Sequence, residues 1–355
     1  MFPKRSQTRW IMVISIVAIA ANFFAVSGGA VEITSAEMQQ KDTWFQEHFL
    51  NAKPLLPFSF VYDGKKSDTF LPSWPQKTET GKLDNTRTRH TYIWADPQTG
   101  LEVRCVAVNY ADFPAVEWTV YFTNIGKENT PVLESIQGLD CRFERGTQGE
   151  FILHHWKGDT FNEDLYQPLE LILNPGVQQG FAPVGGRGSN GSFPYYKLAI
   201  PGGGVMIAVG WPGQWASSFT RDSGVSLQVT AGQELTHMIL KPGETVRAPL
   251  IAFLFWKGDD ITRAQNLWRR WMWEHNVPRT ADGKLPAPSI FGNTSLEFNE
   301  MCNANEENQK YFLDRYQEEK VQLDFWWMDA GWYPCDGNWP KTGTWEPDLT
   351  RFPKG

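Results

Sequence analysis

From Val31 to about Lys257 the chain is a succession of short apolar runs cut by glycine- and proline-rich turns, with little helical periodicity. Thr91–Trp94, Leu101–Asn109, Ala115–Asn124, Phe151–Leu153, Leu198–Ile200, Gly204–Trp211, Val225–Thr230 and Arg247–Trp256 each read as a strand. Val103, Cys105 and Ala107 alternate with Arg104, Val106 and Val108, and Val116, Trp118, Val120 and Phe122 alternate with Glu117, Thr119 and Tyr121. Successive side chains on a strand point to opposite faces, so each of these runs offers one face to a core. Turn residues at Pro97–Gly100 and Pro201–Gly204 separate the runs. Many strands at short spacing predict a large antiparallel β-sandwich, well beyond the ~100 residues of an immunoglobulin domain. Lys41–Leu50 can begin as a short helix ahead of it.

The pattern changes at Asp259–His275. Asp259 or Asp260 can cap a helix in which Ile261, Ala264, Leu267, Trp268, Trp271 and Met272 recur at helical spacing. Pro278 ends it, and Asp282–Pro288 reads as a linker. Ser289–Phe298 is then a strand candidate, Asn305–Lys320 a helix, and Val321–Met328 a second strand, apolar enough to be covered on both faces. The connection has the length of a right-handed parallel crossover. A full (β/α)8 TIM barrel takes ~250 residues, so the stretch up to Gly355 has room for about its first two β/α units. The expected organisation is a leader over 1–30, a β-sandwich over 31–257, a helical linker over 258–288, and the start of a truncated barrel over 289–355, with a small non-barrel α/β appendage as the alternative for the last stretch. Two strands with nothing to close against predict exposed edges and poor solubility.

The leader is read from Lys4, Arg5 and Arg9, followed by the uncharged run Trp10–Val26 and the small residues Ser27, Gly28, Gly29 and Ala30. A basic start, an apolar middle and a small-residue exit make a secretory signal, with cleavage after Ser27 or Ala30. The expected location is secreted or periplasmic, without stable membrane association; an uncleaved anchor is the alternative. The formal charge is −7, and loss of Lys4, Arg5 and Arg9 takes it to −10, which argues against nucleic acid as a partner. The 17 Trp favour planar or sugar-like ligands, although Trp also anchors large cores.

Cys105, Cys141, Cys302 and Cys335 allow two disulfides in three connectivities, or buried thiols. None has the C-x-x-C spacing of a zinc site, and no metal or cofactor is implied. Gly185–Gly191 (GGRGSNG) lacks the Gly-Lys-Ser/Thr ending of a phosphate loop and reads as a mobile loop. His154 and His155, adjacent on a strand, face opposite ways and read as structural.

The richest stretch chemically is Val321–Gly355. Asp329 stands where the apolar run stops, at the carboxyl end of a parallel strand, where α/β folds keep their sites. Trp332, Tyr333, Trp339 and Trp345 follow among Gly, Pro and Asp. Flat rings beside carboxylates suit a sugar, which presents C–H faces for stacking and hydroxyls for hydrogen bonding. Asp324, Asp336 and Asp348 read as solvated or capping carboxylates.

A large β-sandwich, a helical linker and a second barrel strand reading WWMDAGWY resemble glycoside hydrolase family 36, which holds α-galactosidases, α-N-acetylgalactosaminidases and raffinose-type galactosyltransferases. That family typically shows F-x-x-D-D-G-W-F, then G-D-W, then R/K-F-P-x-G. The matching residues here are Asp329-Ala330-Gly331-Trp332-Tyr333, Gly343-Thr344-Trp345 and Arg351-Phe352-Pro353-Lys354-Gly355. Val209–Trp215 is similar to the family's G-W-S-G-x-W/F segment near the sandwich end. Ala330 and Thr344 replace two family carboxylates that help hold sugar hydroxyls. Met301–Glu306 (MCNANE) also resembles the C-N-I-N-E segment of the related family 27, where a Cys bonds to one following the second strand.

The resemblance implies a retaining hydrolase of terminal α-galactosyl linkages in oligosaccharides or polysaccharides, with homo-oligomers compatible. It implies that Asp329 binds a galactosyl O4 or O6 hydroxyl, that Trp332 and Trp345 wall the sugar pocket, and that Cys302 pairs with Cys335. It also implies that both catalytic carboxylates are Asp residues near the fourth and sixth barrel strands, so that none lies within this chain and the chain alone is inactive. A non-catalytic glycan-binding sandwich, a galactosyl transglycosylase and an α-N-acetylgalactosaminidase are the alternatives.

Overall fold

The structure is a computed structural model that describes residues 30–51, 53–159, 162–294, 297–338, 341 and 343–355. Nearly all of the expected leader, and Trp339, lie outside the described residues. The chain divides into two compact units, one ending at His275 and the other running from Asn276 to Gly355.

In the first unit the strands in chain order are β1 (Ser59–Tyr62), β2 (Lys65–Lys66), β3 (Gln76–Lys82), β4 (Arg87–Ala95), β5 (Leu101–Tyr110) and β6 (Ala115–Asn124). They continue with β7 (Leu133–Glu144), β8 (Phe151–Trp156), β9 (Pro168–Leu173), β10 (Gln178–Phe181), β11 (Tyr195–Ile200) and β12 (Gly203–Gly210). The last are β13 (Trp215–Arg221), β14 (Ser226–Gln233), β15 (His237–Met238), β16 (Thr245–Arg247) and β17 (Leu250–Lys257). One sheet runs β10-β13-β14-β7-β1-β2, with β15 also on β7; the other runs β3-β4-β5-β6-β17-β12-β11-β8-β9, with β16 also on β6. Their pairings are antiparallel, as the short alternating runs predict.

The inward faces of the two sheets meet in one apolar core. Val103, Cys105, Trp118 and Phe122 of the larger sheet share it with Leu139, Cys141, Phe219 and Val229 of the smaller. Two buried polar contacts cross between the layers. Trp118 Nε1 donates to the Gly138 carbonyl at 2.8 Å, and Tyr196 Oη lies 2.7 Å from Ser217 Oγ. A buried indole N–H or phenol finds a partner because leaving it dry costs ~1–3 kcal/mol.

Helix α1 (Ser35–Phe45) starts earlier than expected, with Thr34 and Glu37 forming a capping box. It delivers Trp44 and Phe45 to the main core. A short α2 spans Ser67–Phe70. Helix α3 (Ile261–Trp271), capped by Asp260, buries Ala264, Leu267, Trp268 and Trp271 against Met206, Ala208, Leu254 and Trp256 on the outer face of the larger sheet. Burying each large side chain there contributes ~1.5–3 kcal/mol.

Several strands escape a periodicity reading. β3 is exposed throughout, so it has no apolar face. β7 changes phase near Ser135, which sits at φ 52 beside an irregular pairing with β1. The single run expected over Arg247–Trp256 is two strands, since Pro249 has no N–H for a ladder.

The second unit holds β18 (Phe291–Gly292), a short turn α4 (Glu297–Glu300) broken by positive φ at Phe298 and Asn299, α5 (Glu306–Glu318) and β19 (Phe325–Trp326). β18 and β19 pair in parallel, Phe291 with Phe325 and Gly292 with Trp326. The expected strands Ser289–Phe298 and Val321–Met328 are therefore corrected to two residues each. The expected burial of the second is corrected too: Val321, Phe325 and Trp327 are 45%, 43% and 50% exposed. A single short pairing neither extends a ladder nor covers two faces.

Candidate carbohydrate-binding site

In the second unit, α5 is fixed on the parallel strand pair by one amide. Gln309, buried, accepts from Trp326 Nε1 at 3.1 Å and donates to Thr294 Oγ1 at 3.2 Å. The helix begins with a reciprocal cap, Asn305 N to Asn308 Oδ1 at 2.9 Å and Asn308 N to Asn305 Oδ1 at 2.8 Å.

Beyond β19 the backbone turns through Asp329, Ala330 and Gly331. Gly331 has φ +77, and a Cβ there would lie 2.3 Å from the Met301 carbonyl oxygen, so the loop after the strand lies flat on the Met301–Cys302 backbone. Only glycine meets both requirements. Asp329 is exposed, and its carboxylate makes no hydrogen bond or ion pair among the described residues. Trp332 and Trp345 have ring centroids 6.1 Å apart at 45°, and Tyr333 packs on Trp345 at 5.6 Å and 70°. Tyr333 is buried, whereas Trp345 is 66% exposed and held at φ +55, an unusual backbone for a bulky residue.

What holds this loop is Arg351, within the R-F-P-K-G segment. Its Nη1 donates to the Ala304 carbonyl at 2.7 Å, Nη2 to the Tyr333 carbonyl at 2.7 Å, and Nε to Asp348 Oδ2 at 2.9 Å. Asp348 N in turn donates to the Trp332 carbonyl at 2.9 Å. The Thr350 hydroxyl, and then Arg351, hold the Asp348 carboxyl below the usual range despite partial burial. The sequence matched the segment but gave Arg351 no role; the Asp348–Arg351 spacing of three, on a turn, was the available signal. Asp324 accepts from Ile290 N at 2.8 Å and Asp336 pairs with Lys341 at 2.8 Å.

Cys302 and Cys335 lie together in a small buried cluster with Tyr333. Cys335 Sγ is 3.3 Å from the Cys302 carbonyl and 3.4 Å from Arg351 Nη2. Cys105 and Cys141, in the sandwich core, are unpaired thiols that burial pushes well above the ordinary thiol range. Such thiols are inert. Among the described residues no cluster of His, Cys, Asp and Glu is placed to hold a metal ion. No helix among them is long and apolar enough to cross a membrane.

In the sandwich, the Val209–Trp215 segment clamps the glycine-rich loop. Trp215 Nε1 donates to the Gly188 carbonyl at 2.7 Å, Gln214 Nε2 to the Pro183 carbonyl at 2.7 Å, and Gly186 N to Gln214 Oε1 at 2.9 Å. The expectation of a mobile loop left out these ties. His154 faces Glu170 at 3.4 Å while His155 packs on Phe181 at 4.6 Å, on opposite faces of β8.

No protein-family model matches the sequence. No curated protein matches it. Solved structures do. The GH36 α-galactosidase AgaA from Geobacillus stearothermophilus superposes with a TM-score of 0.62 at 15% identity, covering 86% of this chain and 43% of that one. The α-galactosidase from Lactobacillus brevis gives 0.61 at 17% identity, covering 87% and 43%. The galactosidase domain of the α-galactosidase-sucrose kinase AgaSK gives 0.62 at 16% identity, covering 84% and 42%. Variants of AgaA are known in complex with raffinose and with stachyose. This chain spans less than half the length of the structures it matches. By fold, this chain is similar to part of the GH36 α-galactosidases.

Proposed function

We propose that the chain is the amino-terminal portion of an exported, retaining α-galactosidase-like glycoside hydrolase acting on terminal α-galactosyl linkages. In this reading β18, α5 and β19 open a (β/α)8 barrel, Asp329 grips a galactosyl hydroxyl, and Trp332 and Trp345 wall the sugar pocket. The observation that carries it is an exposed Asp329 carboxylate without a hydrogen-bond or ion-pair partner among the described residues, just after a parallel strand and three residues ahead of the Trp332–Trp345 ring pair. An ionised carboxylate accepts sugar O–H groups in charge-assisted bonds contributing ~1.5–3 kcal/mol each, and the rings supply the apolar face. The fold shared with α-galactosidases supports the choice of sugar.

Retention requires two carboxyl groups ~5–5.5 Å apart, and the reading assigns both to later strands of a longer chain. Ala330 and Thr344, standing where the family has Asp, remove two acceptors and relax discrimination among related sugars. The leader is cleaved after Ser27 or Ala30, the product is secreted or periplasmic, and in that oxidising compartment Cys302 bonds to Cys335.

The test uses a chain extended through the whole barrel. Asp329→Ala lowers kcat/KM for a chromogenic α-galactoside by roughly 10- to 100-fold. An unchanged kcat/KM makes Asp329 an ordinary surface residue and removes the basis of the reading.

A further inference from the structure

A cleft of about 1120 Å³ opens on the smaller sheet, lined by the partly exposed side chains of β7 and bordered by Phe58, Phe60 and Leu71 of the main core. Pockets for drug-sized ligands run ~300–1,000 Å³, so this one has room for a chain of several rings. Its floor is amide and carboxylate: Gln137 and Asp140 on β7 and Gln228 on β14. Gln228 Nε2 donates to Asp140 Oδ1 at 2.5 Å, which fixes both groups, whereas the Gln137 amide makes no hydrogen bond among the described residues. Its wall is aliphatic, formed by Pro54, Leu55 and Pro72. Leu55 is 68% exposed, yet its backbone is anchored by Leu55 N donating to the Glu47 carbonyl at 3.1 Å, and the neighbouring Pro57 carbonyl accepts from Asp140 N at 2.8 Å. Floor and wall are therefore tied to each other, and the wall keeps its apolar surface in water.

The chemistry of the lining narrows the ligand. The carboxylates of Glu47, Asp68, Asp140 and Glu144 outnumber the cations of Lys66 and Arg142, which disfavours phosphates, nucleotides and acidic polymers. No metal-binding cluster occurs among the described residues. A fixed amide–carboxylate floor beside an aliphatic wall matches a molecule with hydroxyls along its edges and C–H faces. We propose that this cleft binds a neutral glycan chain, an oligosaccharide or a polysaccharide segment lying across β7 and β14, independently of any role of Asp329.

The experiment is affinity electrophoresis of the 355-residue chain in native gels containing galactomannan, arabinogalactan or starch, with titration calorimetry against stachyose. At least one polysaccharide retards the wild type. Gln137→Ala and Leu55→Asp each weaken that binding roughly 3- to 10-fold with unchanged thermal unfolding, and Asp329→Ala leaves it intact. Absence of retardation with all three polysaccharides, together with no heat from stachyose, overturns the proposal. So does retardation that survives both cleft variants. Loss of binding in Asp329→Ala alone also overturns it while supporting the assignment of Asp329, so the two readings fail separately.

Discussion

Arg351 donates from Nη2 to the Tyr333 carbonyl at 2.7 Å, from a position eighteen residues further along the chain. With its bonds to the Ala304 carbonyl and the Asp348 carboxylate, this one guanidinium ties two separate backbone segments of the second unit to its own turn. Arg351→Ala strands two carbonyls, leaves the Asp348 carboxylate only its bonds from Thr350, and is expected to destabilise that unit by about 2–3 kcal/mol. Arg351→Lys recovers little, because a point-like ammonium does not reproduce a planar fork with three donors in use. Hydrogen exchange of the Trp332–Phe352 amides measures this; protection equal to wild type in Arg351→Ala refutes it.

The sandwich responds to acid through Glu37. It is fully buried, which by itself raises its pKa, yet Arg263 at 2.7 and 2.8 Å and the Thr34 and Lys257 amides together leave it lowered. A depressed carboxyl contributes stability that is present above the unfolded value of ~4.3 and is lost as pH falls through the folded value. The midpoint of thermal unfolding therefore drops below about pH 4.3 in the wild type. Glu37→Gln starts from a lower midpoint at pH 7 and declines less steeply. Parallel acid limbs for the two proteins would remove Glu37 from this role.

Cys302 and Cys335 share a buried cluster beside the Trp332–Tyr333 loop. Peptide mapping of exported, unreduced protein is expected to recover a Cys302–Cys335 linked pair while Cys105 and Cys141 alkylate only after unfolding. Reduction then lowers the stability of the second unit by ~2–4 kcal/mol. Alkylation of both Cys302 and Cys335 without prior reduction sinks the pairing.

The 355-residue chain is expected to show no turnover of a chromogenic α-galactoside, because the proposed function assigns both catalytic carboxylates to later strands. Retaining hydrolysis by the purified chain, with the product anomer followed by NMR, contradicts that assignment.

The sandwich was legible where burial is one-sided. Val103, Cys105 and Ala107 are all fully buried while Arg104 and Val106 are only partly so, and the alternation in the letters is the alternation in space. The helix capped at Asp260 was legible for the same reason at a period of 3.6. β3 and β10 were not, since edge strands with exposed side chains carry no apolar rhythm. At the candidate site, Trp332 and Trp345 were visible as residue types; their contact at 6.1 Å was not, nor was Arg351 as its fastener.

By itself the sequence determined which face of each regular element is apolar, where glycine and proline interrupt the runs, and that a carboxylate follows an aromatic strand. Tertiary structure alone decided what each face meets. β6 lies beside β17, β14 beside β7, and Glu37 binds Arg263 across 226 positions of chain. Periodicity records that a side chain leaves water, and that depends on local spacing. The partner it finds depends on how distant segments close on one another, which is settled by the packing of the whole core.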